Sequence, residues 1–510
     1  MPLPPRTVAP GIRLSAAAFE NEEAIAGTDA LSFVAFLERG FRQRRRELLE
    51  HRAALETSLR AGSPRLPPVS TAHVRADDEW RAAAPPAGWD SGDTQILCAP
   101  TPQSIQRALA DGARRLLVDL EDSMATDWFS VMRSHQSLLE PASRECAMMV
   151  RTRGWRRAEA ALLVDGEPCS AGLFDVALAC FHQARADMPR GPDPVLCLPD
   201  ICTHLEAQWW SDVLCLAQDE LGLPRDRLRV AVEFTSPTAL VEFDEILYEL
   251  RDHAFAVACD DVRWLHNALR SWSDAPGRWI APGADALRSG DAAREWRSRL
   301  AAGARRRGAI AIAGRFCHRP STDDATVLEV SRRRTVAARS SAQSEGFDAI
   351  CLTHTDAGEA PFVEAVRVVA SHAPPAGGEV ADLLPQWLAT DPVALAAVDD
   401  AVSTCLLFLA SRLAGRGCVE WANRVDRATE ADFAAIQLWH WVHAGATGED
   451  GATLDLDYVS RRAVAARDTL QRNHFADADA EAFFDAAMTL LLRQVGAAEC
   501  PGATVTHMPG

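Results

Sequence analysis

Eight short apolar runs, separated by stretches of helical periodicity, constrain the fold of this 510-residue chain more than any other feature. Strands buried on both faces form near-continuous apolar runs, and their alternation with helices is typical of a parallel sheet. Eight such units predict an α/β fold of the (β/α)8 TIM-barrel type, with a doubly wound open sheet as the alternative. The runs span residues 95–99, 115–120, 147–151, 195–199, 228–233, 254–259, 309–313 and 348–352.

Helical segments flank the predicted barrel on both sides. Apolar residues recur at helical spacing from Asp29 to Leu59, which predicts a long amphipathic helix before a Pro-rich break. A Pro- and Gly-rich segment at 371–382 follows the eighth run, and the blocks after it show helix periodicity without strand-like alternation. We therefore predict an N-terminal helical clasp at 1–90, a barrel at 91–375 and a C-terminal helical domain at 376–510.

The composition excludes several classes of function. All 53 basic side chains are arginine, so enzymes that need a lysine amine, such as Schiff-base aldolases, pyridoxal-phosphate enzymes and P-loop proteins, are excluded. The formal charge of −18 disfavours nucleic acid and anionic membranes as partners, and small molecules are expected instead. The 13 cysteines contain no CxxC pair and predict reduced, buried thiols. No signal peptide or spanning segment is recognisable, which predicts a cytoplasmic location.

Polar side chains occupy the ends of several predicted strands, where a barrel enzyme carries its chemistry. Three strand ends offer carboxylates, and Mg²⁺ prefers one or two carboxylates together with water and substrate oxygens. An ion pair with arginine is the alternative interpretation of each carboxylate. Arg151 fits either a structural ion pair or a donor to a developing oxyanion. The strand-end carboxylates are Asp119, Glu121, Asp122, Glu233, Asp260 and Asp261.

Many separate blocks, in order, resemble malate synthases of the short bacterial and plant type. VRTRGWRRAEA resembles that family's arginine block, LCLPDICTHLEAQWW its LPK motif, and VAVEFTSPTALVEFDEILYELRDH its metal-glutamate block. SEGFDAICLTHTD resembles its eighth strand, and GRGCVEWANRVDRATEADFAAIQLWHW resembles the block with the catalytic aspartate. More distantly, the chain resembles the citrate lyase β-chain superfamily.

The resemblance implies a Mg²⁺-dependent Claisen condensation of acetyl-CoA with glyoxylate, which gives malate and CoA. It implies that Asp426 is the base that takes a proton from the acetyl methyl group, and that Arg151 stabilises the resulting enolate oxygen. It also implies that Glu233 binds Mg²⁺, while Asp119 and Glu121 orient metal-bound waters. The base would come from the helical C-terminal domain and the metal from the barrel, with the site between them.

The stretch around the second metal ligand departs from the family. The family motif GLNxGRWDY is replaced by AFAVACDDVRWLHN, so the loop that wraps the keto acid differs and includes Cys259 and Asp260. With a two-residue deletion the ligand is Asp261, a choice that the Gly-x-x-Asp of citrate lyase β-chains favours. An ungapped alignment places Arg263 there instead.

Two further blocks differ from the family pattern. Asp200 replaces the lysine of the LPK motif, and CHRPS, which includes His318, replaces the HAMGG loop. Arg424 and Val425 precede the predicted base.

Three hypotheses therefore stand side by side. The first is a malate synthase. The second is a repurposed relative that uses another acyl thioester and 2-oxo acid, in condensation, cleavage or thioester hydrolysis. The third is an inactive scaffold, against which the retained Arg151, Glu233 and Asp426 argue.

Overall fold

The computed structural model describes most of the chain. The described residues are 5–61, 63, 65–89, 94–110, 112–140, 146–184, 195–271, 279–280, 287, 290–316, 325–353, 391–422, 424–475 and 479–501. The predicted barrel boundary at 371–382 and His318 lie outside them.

The N-terminal region is one long helix with small elements around it. Its elements are β1 (Arg6–Ala9), β2 (Ile12–Leu14), α1 (Glu22–Ala26), α2 (Thr28–Arg60) and α3 (Ala72–Ala76). The observed bounds of α2 agree within a residue with the helix predicted from Asp29 to Leu59. Its buried face carries Leu31, Val34 and Leu37, and these side chains pack into the main core.

Eight parallel strands close into a barrel and confirm the predicted fold class. The barrel order is β3-β4-β5-β8-β9-β10-β11-β12, closed by pairing of β12 with β3. Each strand lies within a few residues of one of the eight apolar runs, and closure excludes the open doubly wound sheet. The strands are β3 (Thr94–Cys98), β4 (Arg115–Asp119), β5 (Ala147–Arg151), β8 (Val195–Leu198), β9 (Val230–Phe234), β10 (Ala254–Cys259), β11 (Ile310–Phe316) and β12 (Ala349–Thr353).

Helices and one hairpin connect these strands. The helices are α4 (Pro102–Ala110), α5 (Trp128–Leu139), α6 (Ala171–Ala184), α7 (His204–Leu221), α8 (Pro237–Val241), α9 (Phe243–Glu249), α10 (Asp261–Ser271), α11 (Asp291–Arg306) and α12 (Ala325–Ser344). The hairpin strands are β6 (Ala158–Val164) and β7 (Glu167–Ser170).

The hairpin extends a small antiparallel sheet that the sequence analysis missed. The sheet has the order β1-β2-β6-β7 and joins the N-terminal segment to the β5–α6 connection. Asp165 and Gly166 form the turn with φ of 53° and 88°, and an Asp-Gly pair favours such tight turns. This dipeptide was the signal that could have predicted the hairpin.

The C-terminal region packs four helices around their own core. They are α13 (Leu395–Leu413), α14 (Ala428–Ala444), α15 (Leu456–His474) and α16 (Ala480–Val495), with a short hairpin of β13 (Val419–Trp421) and β14 (Arg424–Asp426). The expectation of a region without strands was wrong at this hairpin. None of the helices in the described part of the chain is both long and apolar enough to cross a membrane.

The C-terminal region contacts the loop after β4. An ideal Cβ at Gly417 would lie 2.4 Å from the carbonyl oxygen of Ser123, so only glycine permits this approach. Arg412 donates from Nη1 to the carbonyl of Met124 at 3.0 Å, and the Ala428 N–H donates to the carbonyl of Asp122 at 3.4 Å. The start of α14 therefore lies over the carboxyl end of the barrel.

Candidate active site

Arg151 is the centre of a buried charge cluster at the carboxyl end of the barrel. It is the last residue of β5, in register with Asp119 of β4, and its side chain is 1% exposed. Its Nη1 lies 3.0 Å from Asp119 Oδ1 and 2.6 Å from Asp122 Oδ2. Its Nη2 lies 2.7 Å from Glu233 Oε2 and 3.9 Å from Asp260 Oδ2. The structure therefore brings carboxylates from three strand ends around one guanidinium, and the ion pairs with arginine that the sequence left as an alternative are present.

The loop after β4 fixes the carboxylate of Asp119 internally. Asp119 Oδ1 accepts from the N–H groups of Glu121 and Asp122 at 3.1 and 3.2 Å, and Oδ2 accepts from the Ser123 hydroxyl at 2.7 Å. These bonds hold Asp119 and Asp122 together beside Arg151. The sequence analysis named Asp122 as a strand-end carboxylate but assigned it no role in the site.

Glu121 points away from Arg151 toward the next loop. It accepts from the Gly154 N–H at 2.8 Å and pairs with Arg157 at 2.8 Å. Burial raises the pKa of Glu121, against the opposing effect of Arg157. Glu121 and Asp119 therefore have different hydrogen-bond partners, although they lie two residues apart in the chain.

Asp260 and Asp261 face different neighbours. Asp260 Oδ1 caps α10 by accepting from the N–H groups of Val262 and Arg263, both at 3.1 Å, which leaves Oδ2 toward Arg151. Asp261 Oδ2 instead lies 3.4 Å from Arg297 of α11.

The predicted ligand Asp261 and the predicted loop residue Cys259 contact each other. The Cys259 thiol lies 3.7 Å from Asp261 Oδ1, and burial raises the pKa of this thiol. The described contacts therefore bring Asp260, like Glu233, to Arg151 and turn Asp261 toward α11.

Arg263 connects the barrel with the C-terminal helices. Its Nη2 donates to Asp122 Oδ1 at 2.8 Å and to the Thr429 hydroxyl at 2.9 Å, while Nη1 donates to Asp432 Oδ2 at 3.0 Å. Burial raises the pKa of Asp432 to about 6, although Arg263 opposes this shift. Arg263 and Asp432 form a second, interdomain part of the site that the sequence did not predict.

Asp426 is the last residue of β14, and Arg427 and the start of α14 follow it directly. Its carboxylate accepts from Thr404 Oγ1 at 3.1 Å, from Arg424 Nε at 3.0 Å and from the indole N–H of Trp421. Burial raises the pKa of Asp426, against the opposing effect of Arg424. The described contacts of the carboxylate are within the C-terminal region, whereas the neighbouring Arg427 reaches Asp119 at 3.9 Å.

A cavity of about 200 Å³ opens beside Arg151 and Glu233. Its walls come from the loops after β4, β5, β8 and β9 and from one face of α10. The lining residues are Glu121, Arg151, Gly154, Arg156, Arg157, Pro199, Asp200, Glu233, Thr235, Arg263, His266, Asn267 and Arg270.

Asp200, which replaces a lysine of the resembled family, is an ion-pair partner in this wall. It pairs with Arg156 and, at 2.9 Å, with Arg52 of α2. Burial opposes ionisation, but the two guanidiniums outweigh it and lower the pKa of Asp200 to about 2. This position therefore contributes a negative charge where the family has a positive one.

Comparisons with known proteins assign this arrangement to a family. The family model "Malate synthase, TIM barrel domain" matches residues 147–368, "Malate synthase, C-terminal" matches 393–506, and "Malate synthase, N-terminal domain" matches 15–63. The chain belongs to the malate synthase family. The resemblance drawn from the sequence blocks is thus confirmed.

Known malate synthases match the chain over nearly its whole length. Malate synthase of Streptomyces clavuligerus is 29% identical and the match covers 91% of this chain and 92% of the relative. Malate synthase of Myxococcus xanthus is 28% identical, with 89% and 87% covered. A solved structure of Haloferax volcanii malate synthase, a pyruvate/acetyl-CoA ternary complex, matches at 15% identity with a TM-score of 0.45 and covers 78% of this chain and 98% of that one.

The charge of the cluster fits the divalent cation that a malate synthase site implies. Among the described residues, ion pairs join Arg151, Arg263 and Arg427 to twice as many carboxylates, which leaves a surplus of buried negative charge when all are ionised. The carboxylates are Asp119, Asp122, Glu233, Asp260, Glu430 and Asp432.

The donor set also suits a hard cation. The described residues contain no group of three or more His, Cys, Asp or Glu arranged around a metal position. Mg²⁺ needs only one or two carboxylates, because water and substrate oxygens complete its shell. Glu233 and Asp260 offer such a pair, and the Arg151 guanidinium beside both shows that this position already attracts a positive group.

Proposed function

We propose that this chain condenses an acyl-CoA with a 2-oxo acid in a Mg²⁺-dependent Claisen reaction followed by thioester hydrolysis. The malate synthase reaction, acetyl-CoA with glyoxylate giving malate and CoA, is the first reaction to test. The observation that supports this proposal most is the buried Arg151, surrounded by Asp119, Asp122, Glu233 and Asp260 under the start of α14. The family membership supplies the reaction class.

Two side chains of opposite charge would promote enolisation of the acyl thioester. Asp426 would take a proton from the methyl carbon of the thioester, and its buried environment raises its pKa, which makes it a stronger base than an exposed aspartate. Arg151 would donate hydrogen bonds to the thioester oxygen as negative charge develops there. Because Arg151 is buried and held by carboxylates, its donors are oriented before the reaction begins.

Glu233 and Asp260 would hold Mg²⁺, which polarises the carbonyl group of the 2-oxo acid when bound. Asp119 and Glu121 are predicted to orient metal-bound waters. Each accepts from a backbone N–H group, and Asp119 also pairs with Arg151, while Glu121 pairs with Arg157. The start of α14 over the barrel mouth would exclude bulk water from the reacting atoms. A cytoplasmic location and small-molecule partners remain predictions from the sequence.

A repurposed reaction with another acyl thioester or 2-oxo acid is the second candidate. The observation that favours it is the replaced loop after β10, where α10 begins at Asp261 and presents Arg263 and His266 to the cavity. An inactive scaffold is the remaining alternative.

We predict that purified protein, given acetyl-CoA, glyoxylate and Mg²⁺, releases free CoA thiol. Omission of glyoxylate separates condensation from simple thioester hydrolysis, and malate formation measured in parallel confirms the new carbon–carbon bond. Burial raises the pKa of Cys180 to about 12 and also raises the pKa of Cys405, so these two native thiols contribute little background to a thiolate-specific reagent. Absence of thiol release with glyoxylate and with a panel of other 2-oxo acids would reject the enzyme proposal.

A second prediction concerns the metal ligands. Asp260→Asn is expected to weaken Mg²⁺ binding by about ten-fold or more, because asparagine still caps α10 through Oδ1 but loses the negative charge near Glu233. The matched variant Asp261→Asn is expected to bind Mg²⁺ almost as wild type does, since its carboxylate contacts Arg297. Titration calorimetry measures both affinities. The reverse order would return the ligand assignment to Asp261.

A further inference from the structure

One face of α10 forms a polar wall of the cavity. Arg263, His266, Asn267 and Arg270 are spaced by three, one and three residues, which places them on one side of a helix. All four line the cavity, and Thr235, which follows β9, lines it beside them. Asn267 Nδ2 donates to the carbonyl of Thr235 at 2.6 Å and fixes the helix against that loop.

Several buried polar atoms of this wall lack a hydrogen-bond partner among the described residues. They are Thr235 Oγ1, His266 Nε2 and Arg270 Nε, with Arg157 Nη1 across the cavity. Thr235 is 2% and His266 1% exposed. An unpaired buried polar atom costs about 1–3 kcal/mol, so folded proteins rarely keep several in one place without a partner. The four residues line the same cavity, and a polar ligand bound there would supply partners for their unpaired atoms.

The chemistry of these atoms describes the ligand. Asn267 Nδ2 is a donor to Thr235, so Asn267 Oδ1 accepts from His266 Nδ1 at 3.3 Å, and His266 Nε2 is left as an acceptor. Burial, with Arg263 and Arg270 nearby, lowers the pKa of His266 to about 3, so the ring is neutral at pH 7. Thr235 Oγ1 and Arg270 Nε are donors.

The residues that line the cavity include more arginines than carboxylates, although Arg151 and Arg263 also pair with carboxylates outside the lining. Its five arginines face three carboxylates, Glu121, Asp200 and Glu233, and each of these already has an arginine partner. Arg270 Nη2 lies 3.3 Å from Glu56 of α2, while its Nε remains unpartnered. An anionic oxygen group of the ligand therefore fits beside Thr235 and Arg270.

We propose that Thr235 and Arg270 bind a second carboxylate of the acyl acceptor, so that the preferred 2-oxo acid is a dicarboxylate. This inference rests on the proposed function and names its substrate class. Glyoxylate has a single carboxylate, so when it is held at Arg151 and Glu233 it leaves the unpaired donors of Thr235 and Arg270 in the same cavity without a partner. A longer acid would place its first carboxylate near Arg151 and Glu233 and its second at Arg270.

A phosphate of CoA shares the same anionic chemistry. Depth favours the carboxylate, because Thr235 and His266 are almost completely buried, whereas a nucleotide phosphate would need a broad opening to reach them. Testing a dicarboxylate and a nucleotide bisphosphate side by side shows whether the site binds a substrate carboxylate or a CoA phosphate.

The experiment measures binding without turnover, by titration calorimetry with Mg²⁺ present. Oxaloacetate and 2-oxoglutarate are compared with pyruvate and 2-oxobutyrate, and 3′-phosphoadenosine 5′-phosphate represents the CoA nucleotide. Wild type is expected to bind the dicarboxylates about ten-fold or more tightly than the monocarboxylates, as expected for one charge-assisted hydrogen bond. Thr235→Val and Arg270→Gln are expected to remove most of this difference, while the exposed control Arg225→Gln keeps it.

Two results would overturn the inference. Equal affinity of wild type for dicarboxylates and monocarboxylates is one. The other is a loss of nucleotide binding, rather than of dicarboxylate preference, in Thr235→Val and Arg270→Gln. Thr235→Val preserves the side-chain shape, so it still tests the inference if Arg270→Gln fails to fold. Failure of the proposed function is a separate result, namely no thiol release with any 2-oxo acid.

Discussion

Asp426→Asn is expected to lower the rate of carbon–carbon bond formation by about 10²–10⁴-fold while Mg²⁺ affinity stays unchanged. Asparagine keeps the shape and one oxygen acceptor for Trp421, Arg424 and Thr404, but its amide cannot take a proton from the thioester methyl group. The most direct measurement is exchange of the acetyl methyl protons of acetyl-CoA with solvent deuterium, which depends on enolisation alone.

The matched control for this variant is Asp400→Asn. Asp400 is half-exposed and pairs with the same Arg424 at 2.9 Å, so its replacement also releases a carboxylate partner of that arginine. We expect near-normal turnover and exchange for Asp400→Asn. Normal exchange in Asp426→Asn would remove Asp426 from the role of base.

Arg151→Met is expected to abolish turnover and to lower the free energy of unfolding by about 3–5 kcal/mol. The substitution preserves much of the side-chain volume but leaves Asp119, Asp122, Glu233 and Asp260 without their shared positive partner. Denaturant unfolding measures the loss. Added Mg²⁺ is expected to restore part of the stability, because a cation that binds only the folded protein stabilises it.

Arg151→Lys tests whether a positive charge alone is sufficient at this position or whether the planar guanidinium is also needed. Lysine supplies the positive charge but lacks the planar set of donors that reaches β4 and β9 at once. We expect it to recover part of the stability and little of the turnover. Wild-type stability in Arg151→Met would show that the carboxylates are neutralised by protonation, and wild-type turnover would remove Arg151 from the mechanism.

The barrel was predictable from sequence because its strands are buried on both faces. The run 254–259 is apolar throughout and 147–151 is apolar up to Arg151, and the structure places β10 and β5 on those same residues. The β1-β2-β6-β7 sheet was missed because β1, β2 and β7 have only three or four residues each, and β6 is exposed at alternate positions only near its start. The β13–β14 hairpin has three residues per strand, too few to show a period.

Part of the site was predictable for a related reason. The carboxyl ends of parallel strands meet at one end of a barrel, so Asp119, Arg151 and Glu233 had to come together. From the sequence, Asp261 was chosen over Asp260, but the neighbours of each depend on which residue caps α10, because one step along a helix start turns a side chain to another face. The bonds of Arg263 to α14 depend on how two domains pack, which no local pattern encodes.

The packing of α14 over the barrel has a consequence for biosynthesis. Translation completes β3 to β12 before Gly417, Asp426 and α14 leave the ribosome, so a nascent chain has the carboxylates and Arg151 long before it has the proposed base. On the proposed roles, an incomplete chain could capture the cation and the keto acid yet would leave thioesters intact. Catalytic competence would then arise only when the last quarter of the polypeptide docks, which ties the onset of activity to the end of synthesis.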